Sequence, residues 1–186
     1  KFRTEREGFF PYLRDPATLS RPWVRPGTPG LEHRIGGIEK QDVTGNISYE
    51  PENHDHMVRT RAEKVRGVAQ EIPPLSINGP HTGDLLVVGW GGTYGAITAA
   101  VEEAQMEGKA VSSVHLRYLN PLPPDLGQTL RQFRKVLVPE INSGQLVRIL
   151  RAEYLVDAVG FNRVRGVPLQ TQEILEAINQ LVEAAR

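Results

Sequence analysis

Apolar positions change texture along this chain. From Asp84 onward, short continuous apolar runs alternate with longer stretches of helical period. Leu85-Leu86-Val87-Val88-Gly89 has no polar residue in it, the pattern of a strand covered on both faces. Thr93–Glu107 then reads as a helix: Ile97, Val101 and Ala104 form its stripe, Glu102 and Glu103 point away, and Gly108 suits the position just past its end. Ala110–Leu116 predicts a second strand and residues 124–133 a helix opened by Pro123-Pro124. Lys135–Pro139 predicts a third strand, and Ser143–Tyr154 a helix with Leu146, Ile149 and Leu150 inward. A further strand falls within 156–165. Residues 171–185 form a last helix, with Thr171 as N-cap and Ile174, Leu175, Ile178, Leu181 and Val182 buried. Strand–helix alternation at this spacing predicts an α/β domain over 81–186: three layers, α/β/α, around a mainly parallel sheet.

The first part of the chain is different. Five prolines from Pro11 to Pro29, followed by Gly30, Gly36 and Gly37, exclude a regular helix or central strand. Yet Phe9, Phe10, Tyr12, Leu13 and Trp23 are large and apolar, which a flexible linker does not need. We read residues 1–50 as an extended arm lying on a surface, of its own chain or of a partner. Residues 53–70 predict a helix with Met57, Val58, Ala62, Val65, Val68 and Ala69 on one side. Arg59, Arg61, Lys64 and Arg66 occupy much of the rest, either as an anion-binding surface or as an ordinary solvated face. Pro73 and Pro74 end the helix, and 73–83 reads as a linker. Arm, helix and linker together make a region 1–80. There is no internal repeat.

Charge narrows the function classes. The 186 residues carry 22 basic and 22 acidic side chains, so the basic excess of a nucleic-acid binder is missing. No apolar run is long enough to span a bilayer as a helix. With no cysteine, the chain itself supplies no disulfide, thiolate nucleophile or iron–sulfur ligand. The first residue is Lys1 and nothing near it reads as a signal peptide, the texture of a cut into a longer polypeptide.

Candidate chemistry is thin. Gly89-Trp90-Gly91-Gly92-Thr93-Tyr94-Gly95 joins a strand to a helix, a junction whose free N–H groups can hold a phosphate. Gly91, Gly92, Thr93 and Tyr94 are the candidates for such an anion site. The G-x-G-x-x-G fingerprint fails at Tyr94, with Gly95 one residue late, and the second strand ends without an acid for a ribose hydroxyl. Arg117 could instead meet a 2′-phosphate, which keeps a freestanding NADP- or nucleotide-binding module open. The alternative is a tight turn with close helix–sheet packing. His54 and His56 are two apart, on different faces of a helix, and His33, His81 and His115 are isolated, so no metal site is expected. Glu140, after the third strand, is either a general base or a carboxylate ordering the Asn142-Ser143-Gly144 turn. Nothing positions Glu39 and Asp42 as an acid/base pair.

Longer strings say more than any of these motifs. Gly30-Leu31-Glu32-His33-Arg34-Ile35-Gly36-Gly37-Ile38-Glu39-Lys40, Thr44-Gly45-Asn46-Ile47-Ser48-Tyr49-Glu50-Pro51-Glu52-Asn53-His54, Asp84 through Ile97, His115 through Pro123, Val138 through Leu146 and Tyr154-Leu155-Val156-Asp157 together resemble the C-terminal part of the alpha subunit of 2-oxoacid:ferredoxin oxidoreductases, most of all the 2-oxoglutarate type. The resemblance runs from the Pro-rich arm to about Pro168. It implies a transketolase C-terminal-like domain preceded by a linker, in a cytoplasmic complex that uses thiamine diphosphate with Mg, iron–sulfur clusters, coenzyme A and ferredoxin. It further implies that a beta subunit holds the diphosphate end, the metal and a cluster, and that the pyrimidine-binding part of the alpha subunit lies upstream. The family's Tyr-Pro-Ile-Thr-Pro string and its Gly-Asp-Gly diphosphate motif are absent here. No catalytic, cofactor-binding or metal residue of the family therefore transfers to this chain. The expected role is scaffold and subunit interface, with the aromatics of the arm buried against a partner; a pure interaction module without ligand is the remaining reading.

Overall fold

The computed structural model describes residues 2–184, so the last residue of the predicted 171–185 helix lies outside them. The chain divides into two compact units, residues 1–70 and 71–186.

The second unit is layered. Its strands are β1 (Ile77–Asn78), β2 (Gly83–Trp90), β3 (Val111–Leu116), β4 (Phe133–Glu140) and β5 (Ala158–Asn162), in the order β1-β3-β2-β4-β5. All pairs are parallel except β1–β3, where Ile77 faces Val114. The helices are numbered after α1 (Pro51–Gly67) of the first unit: α2 (Tyr94–Met106), α3 (Leu126–Arg131), α4 (Gln145–Tyr154) and α5 (Thr171–Glu183). The apolar run of β2 feeds both layers, as its pattern predicts. Leu85 and Val87 pack with Ile97, Val101, Ile174 and Ile178 of α2 and α5. Leu86 and Val88 pack with Leu126, Leu130, Leu146 and Leu150 of α3 and α4. Each of these side chains contributes on the order of 1.5–3 kcal/mol by leaving water.

Three local expectations need correction. Residues 73–83 are not linker throughout, because Ile77–Asn78 adds a short edge strand held by Ser112 Oγ donating to Pro80 O at 2.6 Å. Two residues are too few to show a period. Ile149, placed inward from its spacing, is exposed, and Val147 takes its place. The N-cap of α5 is Gln170 rather than Thr171; its N–H donates to Glu173 Oε2 at 3.2 Å. Among the described residues no helix is long and apolar enough to cross a membrane.

The first unit has little regular structure besides α1. Isolated bridges pair Phe2 with Trp23, Tyr12 with Val43 and Lys40 with Ile47. Side chains do much of the fastening: Asn53 Nδ2 donates to Lys40 O at 3.0 Å, and Asn53 Oδ1 accepts from Asp42 N at 2.9 Å. Among the described residues of this unit, only Tyr12, Leu31 and Met57 are buried hydrophobics. The predicted apolar stripe of α1 does not become a buried face: Met57 is covered, while Val58, Val65 and Val68 stay exposed. Trp23 is 69% exposed and Phe10 46%.

Candidate functional site

Strand order in the second unit reverses between β2 and β4: the chain passes from β2 to β3 on one side and from β4 to β5 on the other. In an open parallel sheet, a ligand crevice forms there, outside the carboxyl ends. In this protein the side chains close that crevice themselves. Glu140, the last residue of β4, is completely buried. Its Oε1 accepts from Trp90 Nε1 at 3.2 Å, from Asn142 Nδ2 at 3.1 Å and from Leu146 N at 2.8 Å. Its Oε2 accepts from Val147 N at 3.1 Å. Asn142 Oδ1 in turn accepts from Gly144 N at 2.8 Å and Gln145 N at 3.0 Å. The N–H groups that open α4 are thus satisfied from within, and the helix end is not left for an anion. A general base needs a lone pair facing substrate. Glu140 spends its oxygens on the turn and the strand–helix junction, so the turn-ordering role is the one it has.

The Gly89–Gly95 segment shows equally structural engineering. A Cβ at Gly89 would come within 2.5 Å of Ile97 Cδ1, so glycine lets α2 close on the strand. Gly91 adopts φ +58, the left-handed region, at the start of the turn. Thr93 is buried; its Oγ1 accepts from Trp90 N at 3.2 Å and donates to Trp90 O at 2.9 Å. That hydroxyl has no capacity left for a ligand beyond its second lone pair.

One cavity of about 610 Å³ lies beside this turn, at the carboxyl end of β3. Gly91, Tyr94 and Arg117 line it together with Trp90, His115 and Ser113, whereas Gly92 and Thr93 do not. His115 is the member that spacing alone did not single out. Its ring stands edge-on to Tyr94 with centroids 5.1 Å apart, and its Nδ1 is buried with no hydrogen-bond partner. Burial foremost, and the charge of Arg117 next, push the imidazole below its ordinary pKa, against a smaller opposite effect of the Gly91 backbone. The cavity is therefore lined by a neutral-leaning histidine, an exposed tyrosine and one guanidinium. Among the described residues, no three His, Cys, Asp or Glu side chains converge as metal ligands. In the first unit, Glu39 and Asp42 are no acid/base pair: Glu39 Oε2 lies 2.7 Å from His54 Nδ1, and Asp42 Oδ2 lies 3.2 Å from His56 Nε2.

Comparison with known proteins gives a consistent answer. The chain is 50% identical over 175 residues to 2-oxoglutarate oxidoreductase subunit KorA of Mycobacterium tuberculosis, covering 93% of this chain and 26% of that protein. It is 26% identical, over its whole length, to subunit alpha of 2-oxoacid:ferredoxin oxidoreductase 1 of Aeropyrum pernix, of which it covers 30%. Its structure superposes with TM-score 0.87 and 27% identity on 2-oxoglutarate:ferredoxin oxidoreductase from Magnetococcus marinus, solved with 2-oxoglutarate, coenzyme A and succinyl-CoA bound; 98% of this chain and 32% of that chain are covered. The chain spans between a quarter and a third of the length of these relatives. No family model matches it. None of these relatives supports a freestanding nucleotide-binding module.

Proposed function

We propose, from the premise that this chain is a relative of the alpha subunits of 2-oxoacid:ferredoxin oxidoreductases and corresponds to their C-terminal part, that it is the scaffold and subunit-interface region of such an enzyme. The parent would be of the 2-oxoglutarate type and cytoplasmic. It would convert a 2-oxoacid, coenzyme A and oxidised ferredoxin to the acyl-CoA, carbon dioxide and reduced ferredoxin, on thiamine diphosphate with Mg. Iron–sulfur clusters would lie in a beta subunit. The observation that carries this reading is the 50% identity over 93% of the chain.

The residues here do not fit the diphosphate-and-metal end of thiamine. The sequence has no Gly-Asp-Gly string, and no cluster of three acidic or histidine side chains converges among the described residues; with no cysteine the chain supplies no iron–sulfur ligand either. The carboxylate at the carboxyl end of β4, Glu140, is consumed internally. The chain's contribution is a lobe, 71–186, and an arm region, 1–70, with Phe10 and Trp23 of the arm turned toward a partner, whereas Tyr12 is covered within the arm region itself. Support for that partner-facing placement is physical: Trp23 is 69% and Phe10 46% exposed, apolar area that burial against a partner would remove from water.

The test is reconstitution. The chain alone is expected neither to reduce ferredoxin with 2-oxoglutarate and coenzyme A nor to retain thiamine diphosphate. Supplied with the remainder of an alpha subunit and with the beta subunit, it is expected to restore 2-oxoglutarate-dependent ferredoxin reduction. Turnover by the isolated chain, or tight thiamine diphosphate binding to it, would overturn the proposal.

A further inference from the structure

The first unit contains an open groove of about 600 Å³ between the arm and α1. Five cations line it: Arg14, Arg21, Lys40, Arg61 and Lys64. The one acid on its wall, Glu39, is already held by Arg61, with Nη1 to Oε1 at 3.1 Å, and by His54. Among the described residues, Arg14, Arg21, Lys40 and Lys64 have no carboxylate within 4.0 Å. What holds them is neutral. Arg14 Nη1 donates to Leu19 O at 2.8 Å, and the Arg21 guanidinium stacks 4.2 Å above the Tyr12 ring. The buried Lys40 ammonium donates to the carbonyls of Gly36 and Ile38. Lys64 makes no hydrogen bond or ion pair among the described residues. Two guanidinium nitrogens, Arg14 Nε and Arg21 Nη1, are shielded from water with no partner.

Like charges brought together and partly desolvated repel one another, and an unpaired buried donor is costly. Burial first, and then the charge of Arg21, pull the Arg14 guanidinium below its ordinary pKa; Asp42 acts the other way but is itself paired with His56. A protein that keeps such a cluster gains from an incoming anion. The rim identifies what kind of anion. Ile35 at 67%, Ile38 at 50% and Val65 at 38% exposure surround the charges on the same groove. A bare inorganic ion would leave those side chains in water. A polypeptide that brings carboxylates to the centre and apolar side chains to the edge would satisfy both.

We propose that this groove is the docking site for an acidic segment of a partner protein chain, its Asp or Glu carboxylates entering among Arg14, Arg21 and Lys64 while neighbouring apolar residues cover Ile35, Ile38 and Val65. This rests on the reading of the chain as a subunit-interface region and names the chemistry that the interface demands. Charge complementarity of this kind sets association rate, salt dependence and register more than total affinity.

The experiment uses the alpha–beta complex containing this chain. Carbodiimide treatment joins an amine to a carboxylate only where the two touch, and peptide mass spectrometry then identifies both. Lys64 is expected to couple to an Asp or Glu of the partner. Lys64→Glu and Arg21→Glu are each expected to weaken assembly about tenfold or more at low salt. Lys64→Gln is expected to weaken it less and to flatten its salt dependence. Lys64 is exposed, so the melting of the isolated chain controls for folding. If the wild-type complex forms while Lys64 couples only within its own chain and the variants assemble normally, the groove proposal is overturned and the interface reading stands. If the wild-type chain does not assemble at all, both fall. Protection of Lys64 from modification in the isolated chain by micromolar pyrophosphate would also overturn the proposal, in favour of a small oxyanion ligand.

Discussion

Residues 2–70 and 71–184 use their apolar side chains in opposite ways. The second unit places its apolar residues in two continuous layers on either side of one sheet. The first unit buries three hydrophobic side chains and leaves Phe2, Phe10, Leu13, Trp23, Ile35 and Tyr49 at least 46% exposed. Its cohesion comes from side chain–backbone hydrogen bonds, ring edges such as Phe2–Trp23 at 5.9 Å, and ion pairs centred on Glu39. Surface ion pairs contribute little each, about 0–1 kcal/mol. The contrast teaches that one unit has a core of its own, whereas the other leaves more large apolar side chains exposed than it buries.

The strongest way to break this contrast is to truncate one large apolar residue in each unit. Leu86→Ala, at a completely buried position between β3 and β4, is expected to cost about 3–4 kcal/mol in chemical denaturation of the chain. Trp23→Ala, by the same measurement, is expected to cost under about 1 kcal/mol, because its main partner is a ring edge. Equal losses would refute the division of labour. Next in size is Glu140→Gln. It keeps the shape but turns an amide N–H toward a donor, Val147 N–H or those on the other oxygen, and is expected to cost about 1–3 kcal/mol. A neutral effect would return Glu140 to the list of free carboxylates.

Acid separates the units by window. His115 has its folded pKa lowered, so the unfolded chain binds a proton first as pH falls below its ordinary value of 6.5. Its neutral form is favoured in the fold, and the melting temperature of the second unit is expected to fall as pH drops below that ordinary value. His115→Asn is expected to flatten that slope. Glu39 moves the other way. Hydrogen bonding to Arg61 holds its carboxylate down to about 2 from 4.5. Its contribution is complete above 4.5 and is lost as pH falls toward 2, so Glu39→Gln is expected to reduce acid sensitivity only in that lower window. The effect is the smallest of the set because the group sits near solvent.

The layered unit was readable because a continuous apolar run can only be a segment covered on both faces, and β2 is such a run. Helices α2 and α5 followed from their periods. Less was readable where partners are remote in sequence. The Trp90–Glu140 hydrogen bond joins residues fifty apart, and only the parallel pairing of β2 with β4 brings them together. The stripe of α1 was real as a pattern, but a pattern does not say that the same chain provides a surface to cover it. Likewise Arg14 and Arg21 lie in irregular backbone, where no period says which way a side chain faces. The groove they form with Lys64 is a tertiary fact.

The most direct measurement is amide hydrogen exchange on the chain alone and in the assembled alpha–beta complex. Amides of β2 and β4 are expected to be protected equally in both states. Those of residues 2–50 are expected to exchange rapidly in the isolated chain and to slow markedly on assembly. If the arm is as protected alone as in the complex, it is complete by itself and the interface account is contradicted.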